Sequence, residues 1–139
     1  APLLDARRYV ESVIAGVKIA AHPMFRFGAT MNEDSSTFEL PEYIHSRLQP
    51  QILVDFPEKA EELTILRANL PFMEEEILHY VADFLQRAHQ ADERYSVRDG
   101  INIARYALKY STASGLEIRA ALRKAVIQIL GDEATVYAP

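Results

Sequence analysis

Phe25-Arg26-Phe27-Gly28-Ala29-Thr30-Met31-Asn32 decides how this chain is read, because it has the pattern of a short buried strand ending on a polar residue. Over residues 24 to 31, Phe25, Phe27 and Ala29 alternate with Met24, Gly28 and Thr30. That predicts a strand covered on both faces, with Arg26 its one charged member. Downstream, Leu40-Pro41-Glu42-Tyr43-Ile44-His45-Ser46-Arg47-Leu48 predicts a short helix from about Pro41 to Leu48, closed by Pro50. A second strand is expected over Gln51-Ile52-Leu53-Val54-Asp55-Phe56, with residues 33 to 41 as a polar loop between the two. Before the first strand, Leu3, Ala6, Val10, Val13 and Ile14 recur at helical spacing. They predict an opening amphipathic helix over 3 to 15 that stops at Gly16.

Beyond Pro57 the period becomes helical throughout. Pro57 with Glu58, Glu61 and Glu62 marks a helix start, since proline fits the first turn and acids there complement the macrodipole. Leu63, Leu66 and Leu70 supply that helix's apolar side. A second helix, about 74 to 90, carries Ile77, Leu78, Val81, Phe84, Leu85 and Ala88. A third starts behind a Ser96/Asp99 capping box and runs through Ile101, Ala104 and Leu108. A fourth starts behind Ser114 and Glu117 and carries Leu122, Ala125, Val126, Ile129 and Leu130. Four helices with short connections make a small bundle. The internal boundary is expected near Asp55 to Glu58. The part before it poses a physical problem, because two strands and one or two helices leave unpaired sheet edges.

Composition narrows the function classes. The chain has 139 residues, 49% apolar and 25% charged, the balance of one folded domain or two small units. Its net charge of -5 combines 15 scattered basic residues with 20 acids, which argues against a nucleic-acid partner. With no cysteine, disulfides and thiolate metal sites are excluded. Apolar runs fall far short of the roughly 20 residues that span a bilayer. No charged region precedes an apolar stretch at Ala1-Pro2, so the opening reads as an arbitrary start rather than a signal peptide, and a cytoplasmic location is expected.

Three positions have chemistry worth weighing. Asn32, at the carboxyl end of the first strand, stands where open α/β sheets place ligands and can orient a water through its amide; equally, it can simply begin a turn. Arg47 carries a permanent charge and a planar fork of donors suited to a transferred phosphoryl group; most arginines, however, are solvated surface groups. Arg98 follows the Ser96 cap into a helix first turn, where backbone N–H groups already favour an anion; pairing with Asp99 or Asp92 is the structural alternative.

Taken together, Ala29-Thr30-Met31-Asn32, Ser46-Arg47-Leu48 and Ser96-Val97-Arg98 resemble, in form and order, the second half of an AAA+ ATPase module of the MoxR-like and dynein-related branch. The resemblance covers nearly the whole chain. It implies an α/β fold: a partial P-loop NTPase core of two strands plus helices over residues 1–57, followed by an all-α four-helix lid over 58–139. It implies that Asn32 is the sensor 1 residue positioning the attacking water, that Arg47 is the arginine finger projecting into a neighbour's ATP site, and that Arg98 is the sensor 2 contact from lid to nucleotide. Ser46-Arg47-Leu48 departs from the Asp-Arg-Phe usual in MoxR-like proteins. The phosphate loop Gly-x-x-x-x-Gly-Lys-Ser/Thr and the magnesium-binding strand are absent from this sequence, and in the family both lie upstream. ATP and Mg2+ would therefore require the upstream half of the module. The parent protein would be an ATP hydrolase with remodelling or chaperone-like activity, assembled as a hexameric ring and partnered by a von Willebrand factor A domain protein.

Two other classes remain. Glu42-Tyr43-Ile44-His45 and Glu76-Ile77-Leu78-His79 are both Glu-x-x-His, the pair that di-metal carboxylate bundles use twice. The first copy lies between Pro41 and Pro50, where no long helix fits, so no metal site is expected. His22 and His89 stand alone and read as surface or packed residues. The helical part can also be read as an interaction module without ATPase activity, with Glu74-Glu75-Glu76 or Tyr106 and Tyr110 as its docking surface.

Overall fold

A computed structural model describes residues 2–31 and 41–139. The chain divides into two compact units, Ala1–Leu53 and Val54–Pro139. The described residues are mostly helical and contain one two-stranded antiparallel sheet.

The expected α/β core is not what forms. Residues 24 to 31 and 51 to 56 are not strands, and the opening helix over 3 to 15 is replaced by a 3-10 turn, Pro2–Leu4, and a hairpin. Strands β1 (Tyr9–Ser12) and β2 (Val17–Ala20) pair in the register Tyr9 with Ala20 and Ser12 with Val17. The physical reasons are local. Arg8 sits at φ +48° and Gly16 at φ +63°, both incompatible with a continuing right-handed helix, and β-branched Val10, Val17 and Ile19 fit a pleated surface. The two longer apolar runs lack what a strand requires. Ladder hydrogen bonds come from another segment, and among the described residues none lies alongside either run. Consequently no described residue of the first unit is fully buried, and Ile14, Met24, Ile52 and Leu53 are largely solvent-exposed. Helix α1 keeps only Glu42–His45 of the expected 41 to 48.

The second unit follows its sequence signals closely. Helices α2 (Lys59–Asn69), α3 (Glu75–Gln90), α4 (Val97–Ser114) and α5 (Ile118–Leu130) are followed by a 3-10 turn, Asp132–Tyr137, that the periodicity did not indicate. Glu58 caps α2, its backbone N–H donating to Glu61 Oε2 at 3.3 Å. The α4 start is the expected capping box, with Ser96 N donating to Asp99 Oδ2 at 2.8 Å and Asp99 N donating back to Ser96 Oγ at 3.3 Å. At α5 the cap is Glu117 alone, accepting from Ala120 N at 3.1 Å. Backbone donors from Arg119 and Ala120 hold its carboxyl below the usual range. Ser114 is instead the last residue of α4, its hydroxyl donating to Tyr110 O, and Gly115 closes that helix at φ +69°.

All six apolar residues expected on α3 are buried. All but Ala88 belong to one cluster with Leu63, Leu66 and Leu70 of α2, Ile103, Ala104 and Ala107 of α4, and Leu122, Ala125 and Val126 of α5. On α4 the buried stripe is rotated from the expected one, leaving Leu108 42% exposed and Ile101 only partly covered. Gly100 explains the rotation, because it brings α4 hard against α3. A Cβ there would lie 2.7 Å from Val81 Cγ1 and 2.9 Å from Leu85 Cδ1, both on fully buried side chains with no free direction to yield. Gly100→Ala is therefore expected to destabilise the helical unit by about 1–3 kcal/mol despite alanine's better helix propensity. A denaturant midpoint equal to or above wild type would show that the helices separate freely.

Candidate functional site

Of the three residues singled out in the sequence, Asn32 lies outside the described residues. Arg47 belongs to the first unit and Arg98 to the second.

Arg47 follows α1 directly and is weakly held. Its Nη2 is 3.9 Å from Asp5 Oδ2, and its guanidinium carbon is 5.6 Å from the centre of the Tyr43 ring. Asp5 is engaged more closely by Arg7, whose Nη2 donates to Oδ2 at 2.7 Å and whose Nε donates to Oδ1 at 3.1 Å. Those Arg7 hydrogen bonds are the main reason the Asp5 carboxyl titrates at about 2, with Arg47 the smallest contributor. Among the described residues, Asp5 and Tyr43 are the contacts of the Arg47 side chain.

Arg98 occupies the second helical position of α4, behind the Ser96 cap, and is exposed. The structural alternative for it does not occur: Asp99 is occupied by Ser96 N and Ser96 Oγ, each at 2.8 Å, and no ion pair joins Arg98 to Asp99 or Asp92. A cation in the first turn opposes the macrodipole, so the helix itself gains nothing from this side chain. First-turn backbone N–H groups and a guanidinium without an ion pair among the described residues make, at one helix start, a chemically sensible phosphate contact.

The Glu-x-x-His pairs assemble no metal centre. Glu42 and His45 lie on a four-residue helix. Glu76 accepts from Arg119 Nε at 3.0 Å, and His79 lies 3.6 Å from Glu75. Among the described residues no cluster of three metal-ligating side chains occurs. The suggested docking residues are also engaged internally. Arg67 binds Glu75 through two hydrogen bonds, at 2.9 and 2.8 Å. Tyr106 and Tyr110 stack at 5.9 Å, and Lys124 Nζ donates to the Tyr110 hydroxyl at 2.6 Å. A separate surface pocket, lined by Tyr80, Arg119, Ala120, Arg123, Thr135, Ala138 and Pro139, contains neither Arg47 nor Arg98.

Sequence reasoning missed a buried polar cluster in the helical unit. Glu62 on α2 is fully buried, and its Oε2 accepts from Gln86 Nε2 at 2.8 Å. The remaining oxygen, Oε1, has no hydrogen-bond partner and lies 3.6 Å from His89 Nδ1, which is equally without one. His89 Nε2 is 2.7 Å from Tyr95 O, and the imidazole stacks on Phe56 at 4.1 Å. Burial pushes the Glu62 carboxyl up, with the Gln86 hydrogen bond and the His89 charge pulling the other way. A signal for this cluster does exist in the sequence. Glu62 stands four residues before Leu66, on the apolar side of α2, and His89 stands four after Leu85 on that of α3.

Compared with known proteins, the sequence matches no family model and no curated protein. Among the described residues no helix is long and apolar enough to cross a membrane.

Proposed function

We propose that the chain is the carboxyl-terminal portion of a cytoplasmic AAA+ ATPase of the MoxR-like branch, one that couples ATP binding and hydrolysis to protein remodelling. The observation that carries this reading is Arg98: an exposed guanidinium without an ion pair among the described residues, placed in a helix first turn where it costs rather than supports helix stability. Its Ser-x-Arg setting, preceded in order by Ala29-Thr30-Met31-Asn32 and Ser46-Arg47-Leu48, is the pattern of a nucleotide-sensing lid. A second support is that Met24, Ile52 and Leu53 are each solvent-exposed among the described residues, and in this reading an upstream half of the same module covers them.

In this reading ATP and Mg2+ are held mainly by the upstream half, and the bound nucleotide supplies the phosphoryl group that is transferred to water. Asn32 orients the attacking water, Arg98 binds a phosphate oxygen from the helical unit, and Arg47 reaches the site of the next subunit. Arg47 acting in a neighbour requires an oligomer, for which a six-membered ring is proposed, with a von Willebrand factor A domain protein as its working partner.

The test is ATP hydrolysis and nucleotide binding by this chain fused to the upstream segment of its own gene. Turnover should appear only in the fusion. Arg98→Ala should weaken nucleotide binding by roughly tenfold to a hundredfold, the loss of a charge-assisted phosphate contact. A fusion without turnover would sink the proposal in favour of a helical interaction module; an Arg98→Ala variant that binds and hydrolyses ATP like the parent would remove Arg98 from the site and with it the observation that carries the reading.

A further inference from the structure

The buried pair Glu62 and His89 has an unresolved proton count. Tyr95 O is a carbonyl and can only accept, so His89 Nε2 must carry a hydrogen. In a neutral ring that leaves Nδ1 as a bare lone pair, facing Glu62 Oε1 across 3.6 Å with nothing else bonded to either atom. With no proton between them, two lone pairs confront each other in a buried site, and a fully buried carboxylate oxygen goes unsatisfied. One proton, on either atom, replaces that repulsion with a donor facing an acceptor, and a closure of a few tenths of an ångström from 3.6 Å then makes a hydrogen bond that satisfies both.

The cluster also holds the segment through which the chain runs into the helical unit. Gln86 Nε2 donates both to Glu62 Oε2 and, at 3.2 Å, to Pro57 O, while the His89 ring lies nearly parallel to the Phe56 ring, at 16°. Phe56, Pro57, α2, α3 and the Tyr95 carbonyl thus meet at one buried point.

We propose that Glu62 and His89 share a single proton, and that this proton latches the Phe56-Pro57 segment onto the helical unit, so that the attachment loosens as pH rises. The inference concerns the helical unit alone and does not depend on the nucleotide reading. Several charged groups on the elements that meet there have partners of their own among the described residues. On α2 and α3, Lys59 pairs with Asp83. On the incoming segment, Asp55 Oδ1 accepts from Phe56 N at 2.8 Å. Beyond α3, the Glu93 carboxylate accepts from the Tyr137 hydroxyl at 3.2 Å. At the α2 start, Glu61 Oε2 is bonded to Glu58 N.

The sign follows from the proton count. The folded pair retains a proton that an exposed glutamate would give up, as the raised Glu62 carboxyl requires. Unfolded, a glutamate and an imidazole together also hold one proton between the ordinary glutamate and histidine values, so the pair's contribution is complete in that window; it falls as pH rises past the ordinary histidine value toward the point at which the folded pair gives up its proton.

The experiment uses the whole chain: helical circular dichroism melts between pH 5 and 9, with the Glu62 carboxyl carbon and His89 ring nitrogens followed by NMR. The wild-type melting temperature should fall by roughly 4–8 °C as the pair loses its proton, and both nuclei should report that loss as one shared step. Glu62→Gln, whose amide can donate to Nδ1 at every pH, should remove this fall and melt above wild type at pH 8. The proposal is overturned if wild type and Glu62→Gln fall in parallel, or if the two wild-type groups titrate in separate steps with no change in melting.

Discussion

On the proposed ATPase reading, replacing Arg47 by alanine in the fusion with the upstream segment should lower ATP hydrolysis by about 10^3-fold or more while leaving nucleotide affinity within a few-fold of wild type. The magnitude is that of a guanidinium acting only on the charge that develops as the phosphoryl group transfers, which lowers turnover without loosening the ground state. The environment of Arg47 suits such a role. A distance of 3.9 Å to Asp5 and a loose approach to Tyr43 hold the side chain too weakly to be its purpose, so its removal should cost the local fold little. Arg47→Lys should not restore activity, because an ammonium lacks the planar fork. Action in a neighbouring subunit makes a sharper demand. Mixing Arg47→Ala subunits with subunits defective at Arg98 should recover part of the turnover that neither has alone. Hydrolysis that survives in Arg47→Ala would remove the residue from the site.

Phe84→Ala should be the most damaging single truncation in the helical unit, at about 3–5 kcal/mol. Phe84 is fully buried on α3 and stacks on Tyr95 at 6.0 Å, at the centre of the cluster that α2, α4 and α5 all join. Around it are Leu66, Leu85 and Val81, fully buried themselves and unable to collapse into the space left behind. The helical melting temperature should fall by more than about 12 °C. Phe72→Ala gives the matched control. Phe72, in the connection between α2 and α3, is 97% exposed, so its loss should leave stability within about 0.5 kcal/mol of wild type. Equal effects at the two positions would contradict the packing described.

The helical half was legible because its signals are local. The Ser96 and Asp99 box needs only its own turn, and the α3 stripe needs only the 3.6-residue period, so both were readable without knowing any neighbour. Where two local signals competed, the reading slipped. Ser114 and Glu117 together suggested one cap, whereas Gly115 ends α4 in the left-handed region and leaves the capping to Glu117 alone. In the opening segment the same apolar residues fit a helix period or a hairpin. The positive φ of Arg8, which no composition rule announces, goes with the hairpin. As for the candidate site, the sequence singled out Arg98 correctly as a first-turn residue, but that its neighbour Asp99 is spent on Ser96 emerged only from the geometry.

By itself, then, the sequence determined four helices, the buried stripe of α3, the Ser96 and Asp99 cap of α4 and the absence of any thiol chemistry, all properties that depend on neighbours within a turn or two. Tertiary structure decided the rest. An apolar run becomes a strand only when another segment supplies its hydrogen-bond ladder, so Phe25 to Met31 and Gln51 to Phe56 remain without regular secondary structure while Tyr9 to Ala20, which carries its own partner, forms a hairpin. The same holds for Glu62. Its position on α2 is written in the sequence, but its burial against His89 and Gln86 arises where two helices pack, and only there does an ordinary first-turn acid become an orphaned carboxylate that needs a proton.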